Sequence, residues 1–295
     1  MNKLNQPSPK LCNSKSDHPT PSPNGRGTLI LTIRKRIIEG EGLIKSLIIL
    51  FTLSCFLIPS SVSAKEYDGI WFLGFNLKQP PFDNIRVRQA VAHSLDKQFI
   101  SLQIMGESVM PGSIVPYEMA GYDPTLKPYK YNPKFAKSLV KKAGYALSSP
   151  LLKTITLLHT DGDRTVEIAH QVQKDLKQIG MKVELIQVPY RDEEKWTSEL
   201  TSNKYSMFLM GFKAEGNRVF TDEASVKSAD TYQLLNPLFR TGGEANFTNY
   251  SSTSVDKLLD QISLFSAERE NKLKEINKLL YKELPAVVLF YIERL

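Results

Sequence analysis

The amino-acid sequence predicts an α/β protein in which a mixed sheet is flanked by helices. The first observation is the stretch from Lys153 to Phe212, where three apolar runs of strand length alternate with two amphipathic runs of helical length. Strand, helix, strand, helix, strand within one stretch requires crossovers that lie on a sheet. The second is that Trp71–Asn76 before it and Ala286–Tyr291 near the end are further apolar strands. The third is composition. With 41% hydrophobic and 23% charged residues, the chain has the proportions of a protein that buries an ordinary core.

The segment before residue 65 has a different character. Residues 1–27 are rich in Pro, Ser, Asn and Gly, and such a segment buries too little surface to offset its ordering entropy. Arg34-Lys35-Arg36 and Lys45 then precede the apolar run Ser46–Leu57, and Pro59-Ser60-Ser61-Val62-Ser63-Ala64 follows. Basic, then apolar, then small residues is the order of a secretory signal. We expect residues 1–40 to be a disordered or over-extended N-terminus, 41–64 a signal peptide cleaved after Ala64, and 65–295 the folded body. The apolar run is about a dozen residues, short of the roughly 20 that a membrane span needs. Lipidation at Cys55 is the weaker alternative, because Thr52 stands where a lipobox usually has Leu.

Charge follows the same division. Residues 1–64 hold eight Lys/Arg and three Asp/Glu of the chain's 38 and 31, which leaves the body 30 and 28. A net of +2 removes the main warrant for nucleic-acid binding. Cys12 and Cys55 both precede the body, so a disulfide or thiolate metal site within it is excluded. His18, His93, His159 and His170 form no H-x-x-x-H or H-E-x-x-H spacing, so no metal site of ordinary pattern is expected. There is no G-x-S-x-G, P-loop or G-x-G-x-x-G, so neither an enzyme nor a bound cofactor is expected.

The elements follow in order. Trp71–Asn76 is a strand, and Gln79-Pro80-Pro81-Phe82-Asp83-Asn84 breaks it, since proline cannot donate to a ladder. Asp83 or Asn84 then caps a helix whose inner face is Val87, Ala90, Val91 and Leu95. A second helical piece runs from Asp96 to Met105 and stops at Gly106. The proline- and glycine-rich residues 107–131 read as a long loop, a length usually reserved for function or for wrapping a surface. Asn132 caps the next helix, with Pro133 at its first position and Gly144 beyond its end. Its inward stripe is Phe135, Ala136, Leu139, Val140 and Ala143. Strands at 153–159, 181–188 and 205–212 enclose helices at 165–179 and 192–202. Residues 213–253 are polar and turn-rich. Ser254 and Ser266 cap two closing helices, the first packing through Val255, Leu258, Leu259, Ile262 and Phe265, the second through Leu273, Ile276, Leu279 and Leu280.

Several of these stretches carry a wording more specific than their physics. Phe75-Asn76 with Pro80-Pro81-Phe82-Asp83 and Val87-Arg88-Gln89-Ala90 resembles the F-N-x-x-x-P-P-F-D-x-x-x-V-R-x-A segment of bacterial extracellular solute-binding proteins of family 5. Tyr129-Lys130-Tyr131-Asn132-Pro133 through Ala143-Gly144 resembles the Y-x-Y-[ND]-P-x-x-A-K-x-L-[LV]-x-x-A-G of the same family, and Leu280–Phe290 resembles its C-terminal region. The resemblance runs over essentially all of 68–295. It implies a periplasmic binding protein-like fold of type II, here as a single C-terminal lobe. It implies a truncated periplasmic component of an ABC importer for peptides or similar small solutes. Its partners would be that ligand, an ABC permease and a separately encoded first lobe, and the lone lobe would bind weakly. A non-transport periplasmic interaction module reusing the lobe is the alternative.

The resemblance also nominates a site. Gly211-Phe212-Lys213-Ala214-Glu215 leaves the last parallel strand, where open α/β sheets bind ligands. The matching segment of the peptide-binding branch reads G-W-x-A-D. Its acid pairs with the peptide's free amino terminus and its Trp flanks the ligand. Phe212 and Glu215 stand at those positions, with Lys213 between them. A carboxylate with charge-assisted bonds to an ammonium is a sound specificity element.

Overall fold

The computed structural model describes residues 65–214, 216–220, 225–263 and 266–294. The segments expected to be a disordered N-terminus and a signal peptide, with Cys55, Ala64, Glu215 and Phe265, lie outside the described residues. Those from Lys65 onward belong to one compact unit, Ala64–Leu295.

Strand β1 (Tyr67–Phe75) begins four residues earlier than Trp71. Helix α1 (Ile85–Ser94) is capped by Asn84, whose side chain accepts from the Arg86 N–H at 2.9 Å. Between them Phe82 is fully buried and stacks on Phe75, ring centroids 5.1 Å apart. The helical piece that follows is a π-helix, Phe99–Met105, closed by Gly106 at φ 74°. Helix α2 (Pro133–Lys142) is capped as expected, with the Asn132 side chain accepting from the Phe135 N–H at 3.0 Å. Phe135 departs from its assigned inward position. It is 40% exposed and lies edge-on against His93 at 4.9 Å, because it sits on the first turn, where α2 leaves the core to meet the end of α1.

Next come β2 (Ile155–Thr160), α3 (Asp163–Gln178), β3 (Val183–Val188), α4 (Glu193–Thr201) and β4 (Met207–Lys213). The polar stretch after β4 holds more structure than its composition suggests. Strands β5 (Gly216–Phe220) and β6 (Ser225–Ala229) form an antiparallel pair. Helix α5 (Thr231–Phe239) then runs from an Asp230 cap, with Pro237 inside it. Helices α6 (Thr253–Asp260) and α7 (Arg269–Glu283) are capped at Ser252 and Glu268, earlier than Ser254 and later than Ser266. Leu284, at φ 52°, ends α7 and leads through Pro285 into β7 (Ala286–Glu293).

The sheet order is β3-β2-β4-β1-β7. Strand β2 is parallel to β3 and β4, while β1 is antiparallel to β4 and β7. Both faces are covered. Leu73, Phe75, Leu157, Leu209 and Leu289 pack one way, against α1, α2 and α3. Ile70, Phe72, Leu158, Phe208 and Val288 pack the other, against α4, α5, α6 and α7. The nearly continuous apolar character of β4 follows, since Met207–Met210 are buried on both sides.

Two buried polar side chains join distant parts. Arg88, 6% exposed, donates to the carbonyls of Phe82, Asp83, Glu283 and Leu284 at 2.7–3.2 Å. It thereby satisfies both the turn before α1 and the open end of α7. Asn277, fully buried on α7, donates to Ser113 Oγ and Gly121 O, both at 3.1 Å, and accepts from the Val115 N–H. These bonds pin the long 107–131 loop to the helix. Gly121 is required there, because at φ 86° a Cβ would meet Leu273 at 2.6 Å.

Candidate functional site

The carboxyl ends of β2, β3 and β4 lie at one edge of the sheet, beside the start of β1 and the end of β7. There β1 meets β7 irregularly: Tyr67 pairs with Glu293 and Gly69 with Ile292, so Asp68 is the extra residue. Such a bulge re-aims its side chain. Asp68 Oδ1 lies 3.2 Å from Lys213 Nζ, its carbonyl accepts from the Ala214 N–H at 2.7 Å, and Lys213 Nζ also donates to Glu293 O at 3.1 Å. Gly69 permits the close crossing, since a Cβ there would meet Phe212 O at 2.5 Å.

The edge is heavily charged. Lys65 bridges Glu293 at 2.8 Å and Glu107 at 3.3 Å, and Arg294 pairs with Glu66 at 3.1 Å. Pairs this exposed contribute little stability, because solvent screens them; they order the strand ends. The Glu293 bond is the main reason the Lys65 ammonium holds its proton more tightly than usual. On the β2–β3 side, Asp161 accepts from the Tyr190 N–H at 2.5 Å and leaves the Tyr190 ring 68% exposed.

Two donors on β1 are buried without a hydrogen bond, Tyr67 Oη and Trp71 Nε1. Burial pushes the Tyr67 hydroxyl above its ordinary pKa. Trp71 stacks on Phe290 at 5.8 Å and lies across Gly211, where a Cβ would meet the indole at 2.5 Å.

The three nominated residues fare differently. Phe212 is half-buried opposite Ile70 and packs on the second core face. Lys213 is exposed and engaged by Asp68. Glu215 lies outside the described residues, one position beyond the Ala214–Asp68 bond. Tyr67 and Asp68 escaped the sequence reading because the strand was started at Trp71. The aromatic Tyr67 before Gly69-Ile70 was the signal that it begins earlier. Buried His159 is structural: its Nδ1 bonds Thr160 O at 2.8 Å, and burial lowers its pKa. Among the described residues no cluster of His, Cys, Asp and Glu could hold a metal, and no helix is long and apolar enough to cross a membrane.

A mixed sheet with this order, covered on both faces, is the architecture of periplasmic binding proteins of type II. The Escherichia coli murein tripeptide binding protein MppA superimposes with a TM-score of 0.65 at 19% identity, over 83% of this chain and 46% of that one. The chain belongs to the bacterial extracellular solute-binding proteins, family 5, whose middle-region model matches residues 58–222. The di/tripeptide-binding protein 2 of Pseudomonas aeruginosa (strain UCBPP-PA14) is 33% identical over 124 residues, 41% of this chain and 23% of that protein. The glutathione-binding protein GsiB of Escherichia coli O6:K15:H31 is 28% identical over 226 residues, 74% of this chain and 41% of that protein. The chain thus spans about two fifths or less of the length of these curated relatives.

Proposed function

We propose that the chain is an exported, non-enzymatic substrate-binding component of an ABC importer for peptides or similar small solutes. The observation that carries this is the sheet edge where β4 ends. A half-buried aromatic, Phe212, and a cation held by Asp68, Lys213, leave the sheet in succession beside the bulge, and the sequence continues with an acid, Glu215. In this reading Phe212 forms an apolar wall and Glu215 pairs with the ligand's ammonium. Lys213, through Asp68, fixes where the strand ends. The names of the two relatives, which bind di- or tripeptides and glutathione, support a short peptide as ligand. Export with cleavage after Ala64 is supported by the basic, apolar and small-residue order of residues 34–64.

Among the described residues, this edge supplies one wall of a binding site. Ligand pockets bury most of the ligand's surface, so this body alone binds a short peptide weakly. Calorimetry with a di- or tripeptide mixture should give affinities weaker than low-micromolar, reduced further by Glu215→Gln. Unchanged affinity in that variant would remove Glu215 from the site.

A further inference from the structure

Away from this edge the body holds a lysine in an unusual setting. Lys97, just before the π-helix, is 4% exposed. Its Nζ lies 5.9 Å from the centroid of the Tyr129 ring, and no hydrogen bond or ion pair joins it to a described residue. The side chain lines an open crevice between residues 111–114 and the start of β7, walled by Ile114, Leu280, Val287 and Val288 with Tyr129 and Tyr281. Nζ is not one of the side-chain atoms that are buried without a hydrogen bond, so the tip reaches solvent through the crevice while the stem does not.

This setting favours an amine over an ammonium. Apolar walls take water from the charged form, and no carboxylate lines the crevice to compensate. Asp96, next in sequence, has its Oδ1 accepting from the Phe99 N–H at 3.0 Å. The two phenols bring no negative charge. Tyr129 Oη donates to Tyr281 O at 3.0 Å and Tyr281 Oη to Lys127 O at 2.9 Å, and burial pushes both hydroxyls up, that of Tyr129 to about 12. A ring face returns only part of the lost hydration. Burial accordingly moves the Lys97 ammonium down, to about 8. A solvated lysine keeps its proton until about pH 10.4. The free amine is the nucleophilic form, and desolvation in an apolar pocket is one way to expose it.

We propose that Lys97 is a nucleophilic amine and the site at which small aldehydes modify this body, by imine formation. Nζ adds to the carbonyl carbon, a C=N bond replaces the C=O bond, and both protons of the amine leave with the carbonyl oxygen as water. The step uses no oxidant or reductant, and the open crevice admits the aldehyde to Nζ. The crevice lies at the amino end of β7, away from the charged edge at its carboxyl end, so the proposal does not rest on the ligand proposed for that edge.

The test uses the full chain near pH 7 with a limiting amount of acetaldehyde. Cyanoborohydride reduces each imine to a stable ethylamine, and peptide mass spectrometry locates the ethyl groups. The α-amino group is left out of the comparison, because it titrates close to neutral pH as well. Lys97 should be ethylated at least about tenfold faster than the exposed Lys134 and Lys137. That preference should shrink as the pH is raised towards about 10 and vanish in denaturing urea. Equal rates in the folded chain near pH 7, or a preference that survives urea, would overturn the proposal. The wild-type protein suffices, so no variant has to fold.

Discussion

Arg88 shows how a single side chain can hold a fold together without an ion pair. Its guanidinium serves four carbonyls from two segments nearly two hundred residues apart, and burial lowers its pKa. Arginine suits the task because its donors form a rigid fork. Arg88→Met keeps the apolar stem and strands those carbonyls, at a cost of about 3 kcal/mol by the usual penalty for unsatisfied buried groups. Urea denaturation measures it; a loss below about 0.5 kcal/mol would mean that water replaces the side chain. Asp123 carries a pH-dependent counterpart. The Thr125 hydroxyl and N–H, at 2.7 and 2.9 Å, with Lys278 at 3.3 Å, hold its carboxyl at about 2, below its ordinary 3.8. A depressed folded-state pKa stabilises the protein above the unfolded value and ceases to do so as pH falls through the folded one. The Asp123 contribution is therefore complete above about pH 4 and lost towards pH 2. Comparing wild type with Asp123→Asn by denaturation across that window should show the difference shrinking as pH falls.

The elements most legible in the sequence are those whose local signals agree with their packing. The Asn132-Pro133 start of α2 lies where capping places it. Strand β4 is legible because both its faces are buried. What the sequence hides is packing that local pattern does not report. Helix α5 has Pro237 within it and follows a polar stretch, so its buried Leu234, Leu235, Leu238 and Phe239 do not announce a helix. The start of β1 is masked by Asp68 and Gly69, whose purpose appears only against β4 and β7. The candidate site was legible at β4, through Phe212 and Lys213. The Asp68 partner was not, because it comes from a strand more than a hundred residues away. Gly211 offers a test at this scale. A side chain there collides with the Trp71 indole, so Gly211→Val should disturb the Trp71 environment and cost about 1–3 kcal/mol, the usual range for overpacking. Tryptophan fluorescence and denaturation read the two effects. An unchanged spectrum would contradict the packing of Trp71 across β4.

At the scale of the whole molecule, one sheet separates two apolar layers and gathers its polar work at one edge. Helices α1–α3 and the turn held by Arg88 form one layer, and α4–α7 with the pinned 107–131 loop form the other. The strands between them place a charged, bulged edge where β4 ends. In the proposed function a short peptide is held at the β4 edge by its free amino group. The most direct measurement is an amide-resolved NMR titration of the full chain with a dipeptide and with its N-acetylated form. The free dipeptide should shift the amides of Phe212, Lys213, Ala214 and Glu215 with Tyr67 and Asp68, and the acetylated form should not. Equal shifts from both peptides, or shifts centred away from that edge, would rule out recognition of the amino group by Glu215.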